Sequence, residues 1–141
     1  MRKLTVIIAD DDDEDREFLR LALGANENFE LINELKNGAE ALHYVSGAGA
    51  YHNRVFHPLP DLLIIDAVMP SFHVREILAY LALYPAEKMK IVIVTGVPDT
   101  QLRAECLRLG ANAFYYKPAE LEQLLAMIKE IETNLLEGRY G

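Results

Sequence analysis

The first strand and helix of this chain are predicted from the stretch Lys3–Leu23, KLTVIIADDDDEDREFLRLAL. Leu4–Ala9 is a short, apolar, largely β-branched run, which is typical of a strand buried on both faces of a parallel sheet. The run stops at six consecutive acids, Asp10–Asp15, and adjacent carboxylates repel one another unless a positive charge lies among them. From Asp13 onward, apolar residues recur at helical spacing. The stretch therefore predicts a strand, an acidic turn and a helix, with a cation near the turn.

The same alternation of strand and helix recurs four more times, without a repeat, a linker or a low-complexity segment. Such alternation predicts an α/β fold, a doubly wound parallel sheet of five strands with helices on both faces. Residues 46–60 show no periodicity and are rich in turn formers, which predicts a long loop. The further strands are predicted at Phe29–Leu35, Leu62–Asp66, Lys90–Thr95 and Ala113–Tyr116, and the further helices after Asn37, at Pro70–Ser71, after Asp99 and at Pro118.

Composition narrows the possible functions. The 141 residues are 51% hydrophobic and 26% charged, as in one ordinary globular domain. The net charge is −8, and Asp10–Glu17 carries seven acids against one arginine, so the acidity is local. No basic stripe favours nucleic acid, no run has the length of a membrane span, and a single cysteine forms no internal disulfide. We expect a single cytoplasmic domain over residues 1–141, with its core at about 3–130 and a helix end and tail at 131–141.

Polar side chains follow four of the five predicted strands. Asp10 and Asp11 follow the first strand, Asp66 ends the third, Thr95 ends the fourth and Lys117 follows the fifth. In open parallel sheets, ligands bind at the carboxyl ends of the strands, where these residues meet. Carboxylate oxygens suit Mg²⁺, and a carboxylate can itself be the nucleophile that forms an aspartyl phosphate. The sequence therefore predicts a magnesium and phosphoryl site, in which the hydroxyl and the ammonium stabilise phosphoryl oxygens.

Five motifs in this order resemble the receiver domain of two-component response regulators, over about Lys3–Glu130. No single motif is specific to this family, but the occurrence of all five in this order on the expected strands and helices is specific to it. The motifs are the acidic pair of IIADD, the acid that ends LLIID, the Met-Pro that follows it in LLIIDAVMP, IVIVTG, and GANAFYYKP. The resemblance implies a flavodoxin-like (βα)5 fold with strand order 2-1-3-4-5.

The resemblance also implies a role for each site residue. Asp66 would be the phosphoacceptor, and Asp10, Asp11 and Asp66 would hold Mg²⁺ together with the backbone carbonyl of Val68. Such a domain catalyses only its own phosphorylation and dephosphorylation, so it is not an enzyme in the usual sense.

Three further expectations concern the response to phosphorylation. Thr95 would move toward the phosphoryl group, Lys117 would pair with it, and the aromatic ring of Phe114 would follow Thr95 as a switch. The Lys117–Pro118 bond would be cis.

The partners implied by the resemblance are proteins. A sensor histidine kinase or a histidine phosphotransfer protein would donate the phosphoryl group, and phytochrome-type kinases serve some receivers with acid-rich starts and long loops. The face built from the fourth helix, the fifth strand and the fifth helix would contact a downstream protein, and a homodimer through this face stays open. The chain would be a stand-alone receiver without an output domain.

The sequence departs from the family pattern after Asp66. Val74 stands where a glycine is common, and it follows His73 rather than an acid or asparagine. Because valine resists positive φ, we expect an altered loop or helix start there. A phosphorylation-independent docking module is therefore one alternative. A second is a Mg²⁺-dependent aspartyl-phosphate hydrolase, although the acidic run lacks the Thr or Val of that motif.

The acidic run leaves one further choice open. Asp12–Asp15 are expected to form a solvated helix start, with Asp12 or Asp13 as N-cap. Asp11 and Asp12 could be the working pair instead of Asp10 and Asp11, although Arg16 and the helical stripe favour the latter.

Overall fold

A computed structural model describes residues 2–140 of the chain. Within these residues the chain forms seven strands and five α-helices, and a short 3₁₀ turn lies at Gly49–Tyr51. The strands are β1 (Leu4–Ala9), β2 (Phe29–Leu35), β3 (Leu62–Ile65), β4 (Val68–Met69), β5 (Phe72–His73), β6 (Lys90–Thr95) and β7 (Ala113–Tyr116). The helices are α1 (Asp13–Gly24), α2 (Gly38–Ser46), α3 (Arg75–Leu83), α4 (Thr100–Arg108) and α5 (Leu121–Leu136).

Five of the strands form one parallel sheet in the order β2-β1-β3-β6-β7. Counted without the β4–β5 hairpin, this is the order 2-1-3-4-5, so the predicted flavodoxin-like topology is confirmed. The order reverses between β1 and β3, which is where such sheets place their ligands. The alternation of strand and helix predicted the parallel sheet, because parallel strands need helical crossovers, and the resemblance to receiver domains supplied the strand order.

The sheet is buried on both faces because its strands are apolar at consecutive positions. Helices α2, α3 and α4 pack on one face and helices α1 and α5 on the other. The strand residues on the first face include Ile7, Leu63, Ile65, Ile91 and Ile93, and those on the second include Val6, Ile8, Ile64, Val92 and Val94.

The loop before β3 is ordered by one arginine. Arg54 donates hydrogen bonds to the carbonyls of Tyr44 (2.7 Å) and Val45 (2.8 Å). Both carbonyls lie in the last turn of α2, where backbone acceptors run short of helical donors. Tyr51 and His57 stack edge to face with ring centroids 5.2 Å apart. The predicted loop is therefore present, but it is held against α2.

Two helices begin later than predicted. Pro70 and Ser71 form the turn of the β4–β5 hairpin, in which Ser71 has φ 57°, and α3 starts only at Arg75. Pro118 precedes α5 by three residues. Proline suits turns as well as first helical positions, so its position alone did not locate these helix starts.

The segment expected to be a helix end and tail contributes to the core. Helix α5 continues to Leu136, and Ile131 within it is fully buried. Gly138 has φ 67° and reverses the chain, so that Tyr140 packs into the cluster between the sheet and helices α1 and α5. The Tyr140 carbonyl accepts a hydrogen bond from Asn112 Nδ2 at 2.9 Å.

Val74 is a core residue with helical backbone angles. It has φ −57° and ψ −21°, and its side chain is fully buried. The prediction that valine would avoid positive φ here is confirmed, because Ser71 is the residue of this loop that takes it. Phe72 in β5 lies against Gly38 of α2, where a methyl group would overlap its ring. The loop after Asp66 is therefore a hairpin that packs against α2 and the core.

Introducing the glycine common in the family, Val74→Gly, is expected to destabilise this protein by about 3 kcal/mol. The substitution removes a buried side chain and adds backbone freedom at the start of α3. The free energy of unfolding from urea denaturation measures the effect. Val55→Gly, at a valine that is 85% exposed, makes the same chemical change and is expected to cost about 1 kcal/mol or less. Equal losses in the two variants would contradict the burial argument.

Candidate functional site

The residues that follow β1 and β3 meet at one edge of the sheet. Ala9 and Ile65 are paired neighbours in these strands, and the Asp66 amide donates to the Ala9 carbonyl at 3.0 Å. One carboxylate oxygen from each of Asp10, Asp11 and Asp66 lies within 4.8 Å of the other two. Asp10 and Asp66 are buried, whereas Asp11 is exposed. The strand pairing thus brings the three predicted carboxylates together in a site open on one side.

Lys117 reaches this group from the far edge of the sheet. Its backbone amide donates to the Thr95 carbonyl at 2.8 Å, which places the residue just beyond the end of β7. Its Nζ lies 2.8 Å from Asp10 Oδ2 and 2.9 Å from Asp66 Oδ2. The ammonium therefore lies beside both buried carboxylates, and its role in stabilising phosphoryl oxygens stays a prediction.

Backbone amides orient both buried carboxylates in the same way. Asp10 Oδ1 accepts from the Asp12 amide at 2.9 Å, and Asp66 Oδ1 accepts from the Val68 amide at 3.0 Å. In each case the second oxygen lies within 2.9 Å of Lys117 Nζ, as an ion pair for Asp10 and as a hydrogen bond for Asp66. In this pattern each carboxylate accepts from the backbone amide of the residue two positions later in the chain. The hydrogen bond fixes the direction in which the carboxylate points.

Burial and charge act in opposite directions on the two main ionisable groups. Burial raises the pKa of Asp10 above its usual value and outweighs the hydrogen bonds from Lys117 and the Asp12 amide. Burial lowers the pKa of Lys117, but hydrogen bonds to Asp10, Asp15 and Asp66 outweigh it and raise the pKa well above the ordinary value. Lys117 is therefore cationic at neutral pH, and the site retains an excess of negative charge.

Arg16 and Asp12 both have contacts that favour Asp10 and Asp11 as the acidic pair of the candidate site. The Arg16 side chain is buried and donates to the Asp10 carbonyl at 2.6 Å. Asp12, the other candidate, is instead the N-cap of α1, and its Oδ1 accepts from the Asp15 amide at 3.0 Å. The structure therefore pairs Asp10 with Asp11, and Asp12 keeps its expected capping role.

Asp15 is the site residue that the sequence reasoning missed. The sequence predicts a solvated carboxylate, but its Oδ2 lies 2.6 Å from Lys117 Nζ, and its side chain is 39% exposed. The expectation is wrong because the first turn of α1 faces the residue after β7, a contact across 102 positions of sequence. Helical spacing from Phe18 could have placed Asp15 on the inward side of α1, but not beside Lys117.

The remaining predicted site residues are Thr95, Phe114 and Val68, and their side chains are not among the partners of the Lys117 ammonium. Thr95 is fully buried, and its Oγ1 accepts from the Val97 amide at 3.3 Å. Phe114 is buried on β7 beside Ile93 of β6, and its ring packs edge to face on Tyr116 at 5.6 Å. Val68 is in β4, so its carbonyl belongs to the loop directly after Asp66. The roles of these three residues remain predictions.

The expected cis bond before Pro118 is wrong. Among the peptide bonds of residues 2–140, none is cis. The trans bond is compatible with the site, because Lys117 keeps both its backbone hydrogen bond to Thr95 and its side-chain contacts.

The donor atoms present fit a hard divalent cation. Three carboxylates converge, and the single positive charge of the lysine beside them is too small to balance them. Mg²⁺ prefers such oxygen ligands and binds with one or two carboxylates plus waters or phosphate oxygens. Thiol and imidazole ligands, which suit softer metals, are not part of this group.

This fold, with acids after the first and third strands of the sheet and a lysine after the last, defines a receiver domain of two-component signalling. The sequence matches the family described as "Response regulator receiver domain" over residues 6–129, so the chain belongs to that family. It is 30% identical over 126 residues to a Pseudomonas aeruginosa protein named "Putative transcriptional regulator", covering 89% of this chain and 55% of that protein. The chain thus spans about half the length of this curated relative.

Two solved structures with similar folds come from phosphorylated or metal-bound receivers. The phosphorylated cyanobacterial phytochrome response regulator RcpA is 26% identical, with a TM-score of 0.81 and coverage of 95% of this chain and 94% of that one. The Mn²⁺-bound response regulator Rcp1 is 25% identical, with a TM-score of 0.78 and coverage of 92% of each chain. Among residues 2–140 of the present chain, no helix is long and apolar enough to cross a membrane.

Proposed function

We propose that this receiver domain accepts a phosphoryl group on Asp66. The observation that carries the proposal is the position of the Asp66 carboxylate, buried beside Asp10 and Asp11 and 2.9 Å from the Lys117 ammonium. A carboxylate held next to a cation-binding pair and a fixed ammonium has what an aspartyl-phosphate reaction requires.

In the proposed reaction, an oxygen of Asp66 attacks the phosphorus of a phosphohistidine. A P–O bond forms, the P–N bond breaks, and the imidazole leaves with the electron pair of that bond. Mg²⁺, when bound, supplies charge neutralisation at the phosphoryl oxygens. Asp10, Asp11, Asp66 and the Val68 carbonyl would hold the cation. Lys117 stabilises the negative charge of the transferred group, and hydrolysis of the aspartyl phosphate ends the signal.

The proposed output is a change in a protein-binding surface. Thr95 and Phe114 lie on adjacent strands, so movement of Thr95 toward a phosphoryl group would free space for the Phe114 ring. The face formed by α4, β7 and α5 would then change shape and contact a downstream protein or a second copy of the chain.

A histidine kinase or histidine phosphotransfer protein is the proposed phosphoryl donor. RcpA is described as a phytochrome response regulator, and its structure is similar to 95% of this chain. A phytochrome-type histidine kinase is therefore the first donor to test.

The reaction is tested by an intact-mass spectrum after incubation with acetyl phosphate and Mg²⁺. We expect one added phosphoryl group, and none when EDTA replaces Mg²⁺, because the carboxylates repel the dianionic donor without a cation. A receiver known to label under the same conditions is the positive control. An unlabelled protein beside a labelled control would contradict the proposal and favour the phosphorylation-independent docking module.

A further inference from the structure

We propose that Asp15 is a positioning residue that holds the Lys117 ammonium at the phosphoacceptor once a cation has bound. The inference rests on the proposed function of Asp66 and adds a residue to it. Its basis is the 2.6 Å contact between Asp15 Oδ2 and Lys117 Nζ, shorter than the contacts of the same ammonium with Asp10 and Asp66.

A lysine ammonium has three donors, and here three carboxylates lie within 2.9 Å of it. Two of the acceptors, Asp10 and Asp66, belong to the group whose oxygens converge for a cation. A divalent cation competes with Lys117 for those oxygens, and a phosphoryl group on Asp66 consumes one of them. Asp15 is not a member of the converging group. Its contact with Lys117 is therefore the one that cation binding and phosphorylation leave in place.

Packing alone does not fix the lysine side chain. A small cavity lies beside the ion pair, lined by Phe18, Leu19, Val94, Pro118 and Leu124 together with Asp15 and Lys117. The Lys117 side chain is therefore not packed on every side, and a charged partner helps to hold its ammonium beside Asp66. Asp15 is itself held by α1, where its amide donates to the N-cap Asp12 at 3.0 Å.

The geometry thus assigns two separate tasks to the acidic run. Asp10 and Asp11 would hold the cation, and Asp15, four residues after Asp11, contacts the lysine. A reaction that depends on the position of the Lys117 ammonium then depends on Asp15 as well, although Asp15 contacts neither the phosphoryl group nor the cation.

The test compares Asp15→Asn with Glu14→Gln. Glu14 is the neighbouring acid in the first turn of α1 and is exposed, so its variant removes the same charge without removing the contact. With saturating Mg²⁺ and acetyl phosphate, we expect Asp15→Asn to slow phosphorylation about tenfold, as for a lost charge-assisted hydrogen bond. Glu14→Gln is expected to stay within about twofold of wild type, and Asp15→Glu to recover part of the rate.

A second comparison shows whether Asp15 acts through Lys117. In a Lys117→Met background, Asp15→Asn is expected to cause no further loss, because the group that it positions is absent. Any of three outcomes would overturn the inference. They are a further tenfold loss in the Lys117→Met background, equal losses in Asp15→Asn and Glu14→Gln, and an unchanged rate in Asp15→Asn.

A readout independent of phosphorylation separates this inference from the proposed function. In ¹⁵N-labelled protein with Mg²⁺, a lysine ammonium held by an ion pair gives a slowly exchanging NH₃⁺ signal. We expect the Lys117 signal in wild type and Glu14→Gln and its loss in Asp15→Asn. If the protein does not accept phosphate, this pattern still supports Asp15 as the residue that positions Lys117. A signal that survives in Asp15→Asn overturns that inference.

Discussion

Asp66→Asn is expected to reduce phosphoryl incorporation to below detection, a loss of at least about 1000-fold. The amide oxygen of asparagine is a poor nucleophile and cannot form a stable acyl phosphate. The substitution is nearly isosteric, and the new amide oxygen could still accept from the Val68 amide, as the Asp66 carboxylate does at 3.0 Å. Intact-mass spectrometry with acetyl phosphate and Mg²⁺ measures the loss.

Asp10→Asn and Asp11→Asn are the matched controls, because each also replaces one carboxylate of the group within 4.8 Å. Each is expected to weaken cation binding about tenfold or more, and a higher Mg²⁺ concentration is expected to restore labelling. Added Mg²⁺ is not expected to rescue Asp66→Asn, since the missing atom is the nucleophile. Labelling of Asp66→Asn, with Asp10→Asn unlabelled at any Mg²⁺ concentration, would identify Asp10 as the acceptor instead.

Lys117→Met is expected to slow phosphorylation about 100-fold, as for removal of one preorganised charge donor at a developing anion. Methionine keeps the length and the apolar stem of lysine but loses the ammonium, which lies within 2.9 Å of Asp10, Asp15 and Asp66. Raising Mg²⁺ is expected to restore little of the rate, because the cation is held by other oxygens. The rate constant with acetyl phosphate is the measurement.

Lys36→Met serves as its control, since Lys36 is exposed and follows β2 outside the carboxylate group. The control removes the same charge and is expected to change the rate by less than about twofold. Similar losses in both variants would mean that net charge, rather than the position of the Lys117 ammonium, supports the reaction.

The fold and most of the site could be predicted from local patterns. Runs such as Leu62–Ile65 are apolar at consecutive positions, as expected for a strand buried on both faces. Asn37 and Asp99 precede helical stripes and do cap α2 and α4, because capping is an interaction within one turn. The site acids were found by the same logic, since parallel strands end at a common edge.

What the patterns missed lies in turns and contacts between distant segments. Pro70 and Ser71 suit a helix start and a hairpin turn equally, and the packing of Phe72 on Gly38 favours the hairpin. Tyr140 lies in a segment that looks like a tail, yet it completes the core beside α5.

The sequence by itself determined the order of the elements and the identity of the groups at the strand ends, because periodicity and capping are local properties. Only the tertiary structure decided which acid at the start of α1 contacts Lys117, since Asp12, Asp13 and Asp15 differ little in their local sequence. The choice depends on how the first turn of α1 faces the residue after β7, a contact between segments 102 residues apart. Packing of α1 and α5 on the same face of the sheet brings them together, and that packing has no local signature.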